Sequence, residues 1–347
     1  MSKGIYTVAN DAVFDQLIAL LNSIEANAGW DTPVCVIPYN DQLEKIRSAL
    51  PAYANVTLFE QTDSIQFWQE FATAAWTSHP TAARVWREQG RPAMRRVEFH
   101  RKLCCFDGPF DQFVYMDADT LLLSPLDPVF DKLAHYDWVA NDFQYLSDAR
   151  LIFNLDALDL LQKYPLEDLK SHIFCSGFFA ANQKILDHPK ATDFLTRLTA
   201  GESDFMSLRG SDQPLFNYIV LGNGFSFYNL CYHDDEYATG SHWSSPFKVQ
   251  DQVLYDQDKP LMYLHYMSIS SSDFTRLCQG EDINVPYRDL FLHYRYLKTP
   301  QERPQVLQKP PRLVRVKVAI AQFKRQKLHN LNHRLQKLKY QLSQLRG

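Results

Sequence analysis

Two carboxylates stand one residue apart in FVYMDADTLLLSPLD, residues 113–127: Asp117 and Asp119, with Ala118 between them. An apolar run, Phe113 to Met116, leads into the pair, and another apolar run follows it. In an extended segment residues two apart point to the same side. Placed where a strand leaves a parallel sheet, both face the crevice in which such sheets bind ligands. Like charges about one pleat apart raise each other's cost, which a divalent cation or solvent must offset. A metal held there can bridge a diphosphate and neutralise a phosphate leaving group. The plainer reading is a solvated turn in which the two aspartates cap backbone amides, since D-x-D often arises by chance. The aliphatic residues on both sides imply a buried approach and favour the metal.

These side chains need a scaffold, and the chain spells an alternating one. Ile5–Ala9, Val34–Ile37 and Val56–Phe59 read as strands. Between them, Asp15–Ala28 has helical spacing through Leu17, Leu20, Leu21 and Ile24, and Leu43–Leu50 reads as a short helix. This βαβαβ rhythm predicts an α/β fold with a mixed, mostly parallel sheet flanked by helices. Residues 65–105 are helix-prone, interrupted around Gly90–Pro92, and carry Arg95, Arg96, Arg101 and Lys102. Phe113–Met116 is the next buried strand, with further strands expected at Trp138–Ala140, Phe174–Ala181, Phe225–Tyr228 and Leu261–His265. The expected organisation is a catalytic domain over 1–300, a proline-rich linker over 301–311 and a basic amphipathic helix over 312–347.

At 347 residues the chain can bury a large core. Its 6 cysteines are scattered, with Cys104 and Cys105 adjacent and no C-x-x-C, so neither a zinc knuckle nor a disulfide scaffold is indicated. With no apolar leader behind the start MSKGIYTVAND, a cytoplasmic location is the default expectation. The net charge of -4 hides an asymmetry: residues 303–347 hold 12 of the 36 Lys/Arg and none of the 40 Asp/Glu. The body is therefore acidic, and a basic tail does not make it a nucleic-acid binder. In that tail Leu328, Leu331, Leu335, Leu338, Leu342 and Leu345 form one helical stripe among Arg and Lys. Such a helix can lie on an anionic membrane surface, giving a peripheral protein. It can also pair with its copy into a homodimer, or pack on the acidic body.

The segment FHRKLCCFDGPFDQFVYMDADTLLLSPLDPVFD resembles the heart of the family-8 type glycosyltransferases, the group that includes glycogenin and bacterial galactosyl- and glucosyltransferases. FCSGFFAANQKIL, GSDQPLFNYIV, FSFYNLCYH and MYLHYMS are similar, in order, to further motifs of that family. The resemblance spans roughly residues 3–270. It implies a GT-A nucleotide-diphospho-sugar transferase fold, a D-x-D motif, a nucleotide-sugar donor (most often UDP), Mn²⁺ and retention of anomeric configuration.

Residue by residue, the resemblance implies base and ribose contacts from Thr7, Ala9 and Asn10, although TVAND also reads simply as a strand followed by a helix cap. It brings Ala118, Ser176 and Gly177 alongside the nucleotide-sugar. His265, alone more often a packing residue, completes the metal site with Asp117 and Asp119. That mixed oxygen/nitrogen set suits Mn²⁺, with Mg²⁺ the alternative. Asp212 and Gln213 fall beside the transferred sugar and the anomeric carbon, against the plainer reading of Ser211 or Asp212 as a helix cap. Asn141 and Asp142 fall near the donor sugar hydroxyls. The chain departs from the family after His265, where HYMSISSSDF lacks the expected glycine and lysine. Lys102 is then the best candidate for the diphosphate cation, helped by Arg95, Arg96 or Arg101, with Ser268 and Ser270–Ser272 as neutral donors. Cys175 stands where the family has asparagine. Gly177 permits close backbone approach, or marks a strand bulge.

The expected function is metal-dependent, retaining hexosyl transfer from a UDP-sugar to a saccharide or lipid-linked saccharide. A nucleotide-sugar-binding protein with little turnover is the alternative. A sugar-1-phosphate nucleotidyltransferase would need a Gly-rich, Arg- and Lys-bearing N-terminal phosphate loop, which GIYTVAND lacks.

Overall fold

A computed structural model describes residues 1–309 apart from 91–96, 158, 210–211 and 252. Arg95, Arg96, Ser211 and the 312–347 helix expected from sequence lie outside the described residues.

Seven strands form one sheet in the order β3-β2-β1-β4-β7-β6-β8. They are β1 (Lys3–Ala9), β2 (Val34–Pro38), β3 (Val56–Leu58), β4 (Gln112–Met116), β6 (Trp138–Ala140), β7 (Phe178–Asn182) and β8 (Phe227–Asn229). The first four run parallel, and β7 enters antiparallel between β4 and β6, so the sheet is mixed. β1 and β4 are buried along nearly their whole length, because helices and loops cover both faces of the sheet. One face packs Trp68, Phe106, Trp138 and Phe179 into an aromatic-rich layer; the other is aliphatic, built on Leu17, Leu20, Leu21 and Ile24 of the helix Phe14–Ala28.

The expected strand over Phe174–Ala181 is shorter at its start. Residues 174–177 form a loop, and pairing begins at Phe178, opposite Met116. The apolar letters of FCSGFF reflect burial in the crevice wall rather than a ladder. Two smaller sheets were not anticipated. β5 (Thr120–Leu122) pairs antiparallel with β12 (Tyr263–His265), in the register Thr120↔His265. β9 (Lys248–Gln250), β10 (Val253–Asp256) and β11 (Lys259–Pro260) form an antiparallel meander. The helix-prone stretch after residue 60 resolves into α-helices Thr62–Thr77 and Ala82–Glu88 and a 3-10 helix, Val97–Asp107, that carries Lys102. Beyond residue 300 the chain stays on the body: Gln308 pairs with Glu281, and its amide donates to the Gly280 carbonyl at 2.8 Å.

Candidate active site

The site forms where β4 ends. Asp117 follows the last paired residue, and its amide donates to the Gly177 carbonyl at 2.8 Å, which continues the β4–β7 contact one step into the crevice. The Asp117 carbonyl accepts from the amide and hydroxyl of Thr120, at 3.1 and 2.7 Å, closing a tight turn over Ala118. That turn, rather than the extended alternation expected from sequence, brings both carboxylates to one side. β12 then lays His265 against them. Its Nε2 lies 3.3 Å from Asp119 Oδ1 and 3.8 Å from Asp117 Oδ2. One ligand atom from each of Asp117, Asp119 and His265 falls within 4.8 Å of the others.

The second oxygen of Asp117 is already taken. Oδ1 accepts from the Tyr115 hydroxyl at 2.6 Å and from Lys102 Nζ at 3.3 Å, so Oδ2 is the oxygen turned toward His265. Tyr115 was not singled out from sequence; its signal is its position two residues before Asp117 on the same strand face. Gly177 closes the other side. A Cβ there would lie 2.4 Å from His265 Cε1 and 2.7 Å from Asp117 Oδ2, so only glycine lets β7's approach pass this close to both. Two carboxylate oxygens and one imidazole nitrogen thus converge, and their hard, mixed donor set fits Mn²⁺ or Mg²⁺.

The charges are unequal. Burial works against a charged His265, but Asp119 overcomes it and raises the imidazole's pKa well above its ordinary value. Burial likewise opposes ionisation of Asp119, yet His265 holds its pKa below the usual carboxylate value. Asp119 and His265 thus favour each other's charged forms, and a cation held through Nε2 would have to displace that proton.

Lys102 does not reach out into the crevice. It is 1% exposed, and its Nζ bonds Asp212 Oδ2 at 2.8 Å, the Ser176 carbonyl at 3.0 Å and Asp117 Oδ1 at 3.3 Å. Burial alone would lower its pKa; Asp117 and then Asp212 outweigh that and raise it, which favours the ammonium form. Asp212 also accepts from the Ser176 hydroxyl at 2.9 Å. Lys102 thus ties the metal carboxylate Asp117 to Asp212 at the start of the helix Gln213–Gly222. Asp212 makes no side-chain cap to that helix, and Gln213 instead donates to the Phe174 carbonyl at 3.1 Å. Arg101 is similarly committed, donating to the Pro38 carbonyl at 2.7 Å and to Gln69 at 3.1 Å.

The remaining residues spread around this knot. Ala9 and Asn10 lie at the end of β1, where Asn10 accepts from the Ala12 amide at 3.1 Å and donates to Asn40 at 3.2 Å. Thr7 sits within the strand, fully buried, its hydroxyl without a protein partner. Asn141 turns into the packing: it donates to Met262 Sδ at 3.1 Å and accepts from the Cys231 thiol at 2.9 Å. Its neighbour Asp142 is the one that faces a cavity of about 270 Å³ beside His265, also lined by Cys175, Ser241, His242 and Met267. Burial pushes the Asp142 pKa up to about 6, against the pull of hydrogen bonds from the amides of Cys175 and Gln144. Ser268 is exposed and holds a left-handed backbone, φ 70°. That conformation favours glycine, so the backbone keeps a glycine-type turn where the side chain is serine. The helix Ser271–Cys278 follows, with Ser270 and Ser272 hydroxyls 2.8 Å apart at its start.

Solved structures share this architecture. The bifunctional glycosyltransferase WbbM in its apo form matches 87% of this chain at 14% identity, with a TM-score of 0.51. The fold is GT-A. This chain spans 52% of WbbM's length, about half. Mouse xyloside xylosyltransferase 1, apo form, matches over 66% of this chain and 85% of its own, at 11% identity and a TM-score of 0.47. The galactosyltransferase LgtC, solved with donor and acceptor sugar analogs, matches over 83% of this chain and 99% of its own, at 16% identity and a TM-score of 0.45. No protein-family model matches the chain, and no curated protein matches it.

Proposed function

We propose that this chain is a metal-dependent, retaining glycosyltransferase that moves a hexose from a UDP-sugar to a saccharide or lipid-linked saccharide. The observation that carries the reading is the convergence of Asp117, Asp119 and His265 at the carboxyl end of β4. A divalent ion bound there would neutralise charge on the departing diphosphate. Asp117 and Asp119 would hold it through the oxygens facing His265, with Nε2 as the nitrogen ligand. Ala9 and Asn10 border the end of the sheet where a nucleoside would lie. Ser176 and Gly177 line the wall against which the sugar would rest, and Asp212, held by Lys102 and Ser176, would accept hydrogen bonds from its hydroxyls. Gln213 would lie near the positive charge that develops at the anomeric carbon. In this reading the acceptor hydroxyl attacks from the face the nucleotide leaves, and a phosphate oxygen takes its proton, so no enzymic nucleophile is needed. Ser268 and Ser270–Ser272 would give the diphosphate neutral donors.

The test is UDP release across a panel of UDP-sugars with Mn²⁺, with and without acceptors. Acceptor-stimulated release supports transfer. Tight donor binding with no release supports the second reading, a nucleotide-sugar-binding protein. That alternative is favoured by the commitment of Lys102, the candidate for the missing phosphate lysine, to Asp117 and Asp212. No helix among the described residues is long and apolar enough to cross a membrane. We place the basic segment 312–347 on an anionic membrane surface on the cytoplasmic side, with a homodimer through the leucine stripe as the competing outcome. Sedimentation with anionic vesicles that weakens as salt rises supports the first; a dimer indifferent to vesicles supports the second.

A further inference from the structure

His265 is held at several points of its ring and backbone. Nε2 faces the two carboxylates, Cε1 faces Gly177, and the backbone is pinned by its amide donating to the Ser241 carbonyl at 2.7 Å and its carbonyl accepting from Trp243 at 3.2 Å. The other ring nitrogen, Nδ1, has one polar partner among the described residues: the thiol sulfur of Cys175 at 3.9 Å. Cys175 Sγ does not join the converging ligand atoms of Asp117, Asp119 and His265, so it touches the imidazole from behind rather than the metal position. Its amide is anchored on Asp142 Oδ2 at 3.0 Å, which fixes where the sulfur sits.

The proton inventory of the ring gives this contact a role. With a metal on Nε2 the ring must keep its proton on Nδ1. Nδ1–H is then a donor, and the Cys175 sulfur is its polar partner among the described residues. A buried donor left without a partner is costly, and metal-ligating histidines ordinarily give this proton to a carboxylate, carbonyl or water. We infer that Cys175 is a positioning residue for the metal centre: its sulfur accepts from His265 Nδ1–H and holds the ring in the tautomer and orientation that present the Nε2 lone pair to the ion. This rests on the metal reading of Asp117, Asp119 and His265, and it assigns the cysteine that replaces asparagine in FCSGFF.

The test is Mn²⁺ binding to the full-length, donor-free protein, followed by electron paramagnetic resonance, with melting temperature on the same preparations. Cys175→Ala should weaken Mn²⁺ binding about tenfold, the lower end of what outer-sphere partners contribute, with the melting temperature little changed. Cys175→Asn, which restores an acceptor, should recover most of that loss. His265→Ala separates the two layers of the reading. If it binds Mn²⁺ like wild type, the metal site itself is wrong. If it binds weakly while Cys175→Ala binds normally, the metal site stands and the role of Cys175 is overturned. Equal weakening in the Ala and Asn variants, tracking a fall in melting temperature, also overturns it, because sulfur would then matter only as packing volume.

Discussion

An aspartate meets a histidine at each end of β4, and the two meetings are built oppositely. On the approach to the strand, a single oxygen of Asp107 accepts from Ser64 at 2.5 Å, Trp68 at 2.7 Å and His188 at 2.9 Å, and Phe67 stacks on the imidazole. One charge is satisfied there by three donors. Where the strand ends, two carboxylates crowd one imidazole, and the donors Tyr115 and Lys102 serve only the outer oxygen of Asp117. The first arrangement is closed and structural. The second is short of donors, which is the condition a cation relieves. An Asp–His contact alone does not mark chemistry; the ratio of charge to donors around it does.

The largest effect should come from Asp119→Asn. Removing one of two charged ligands should abolish detectable Mn²⁺ binding and metal-dependent UDP release, while the denaturation midpoint stays near wild type. Normal Mn²⁺ titration in that variant would reduce the two Asp–His contacts to one kind. Next, Lys102→Met strips the buried partner from both Asp117 and Asp212. Breaking such an arrangement costs roughly 3–5 kcal/mol, so denaturant unfolding should show a large loss of stability. A variant of wild-type stability with a depressed kcat would instead mean that Lys102 leaves its partners to serve the substrate.

At the closed end, Asp107→Asn weakens charge-assisted bonds worth roughly 1.5–3 kcal/mol each. It should lower the melting temperature and leave the Mn²⁺ dissociation constant unchanged; a shift in metal affinity would show that the two ends communicate. The smallest effect concerns pH. Because the folded pKa of His265 is raised, its contribution to apo stability is fully present below the imidazole's unfolded value of about 6.5 and is lost as pH rises through the folded value. Metal affinity should move the other way, rising up to about tenfold per pH unit while the ring must shed its proton. Titrations at three pH values with proton release measured would check it, and a flat profile would mean the ring is neutral before metal arrives.

Much of this site was legible before any coordinates. The buried run before Asp117 and the apolar strand ending at His265 depend on local pattern, and each lies where that pattern put it; Asp117 and Asp119 come together through a turn rather than strand alternation. What the pattern does not carry is direction across long separations. Lys102 reads in the sequence as the candidate diphosphate cation because nothing local shows that Asp212 and Ser176 close over it. Asn141 and Asp142 are adjacent polar residues with opposite fates, set by Met262 and Cys231 on one side and the cavity on the other. Strand β5, three residues long, has no period of its own and exists because β12 pairs with it. Residues 174–177 looked like strand because a crevice wall is as apolar as a ladder.

That β5–β12 pairing also gives the molecule an order of assembly. Asp117 and Asp119 follow directly on β4, which pairs with β1 from the start of the chain. The imidazole arrives only when Tyr263–His265 closes back on Thr120–Leu122, a contact between distant parts of the sequence whose loop entropy must be overcome first. A nascent chain that has emerged only as far as the meander therefore exposes the acidic pair without its nitrogen ligand. On the proposed metal reading, the cation site would be completed only at that late step, after the acidic pair has already been made.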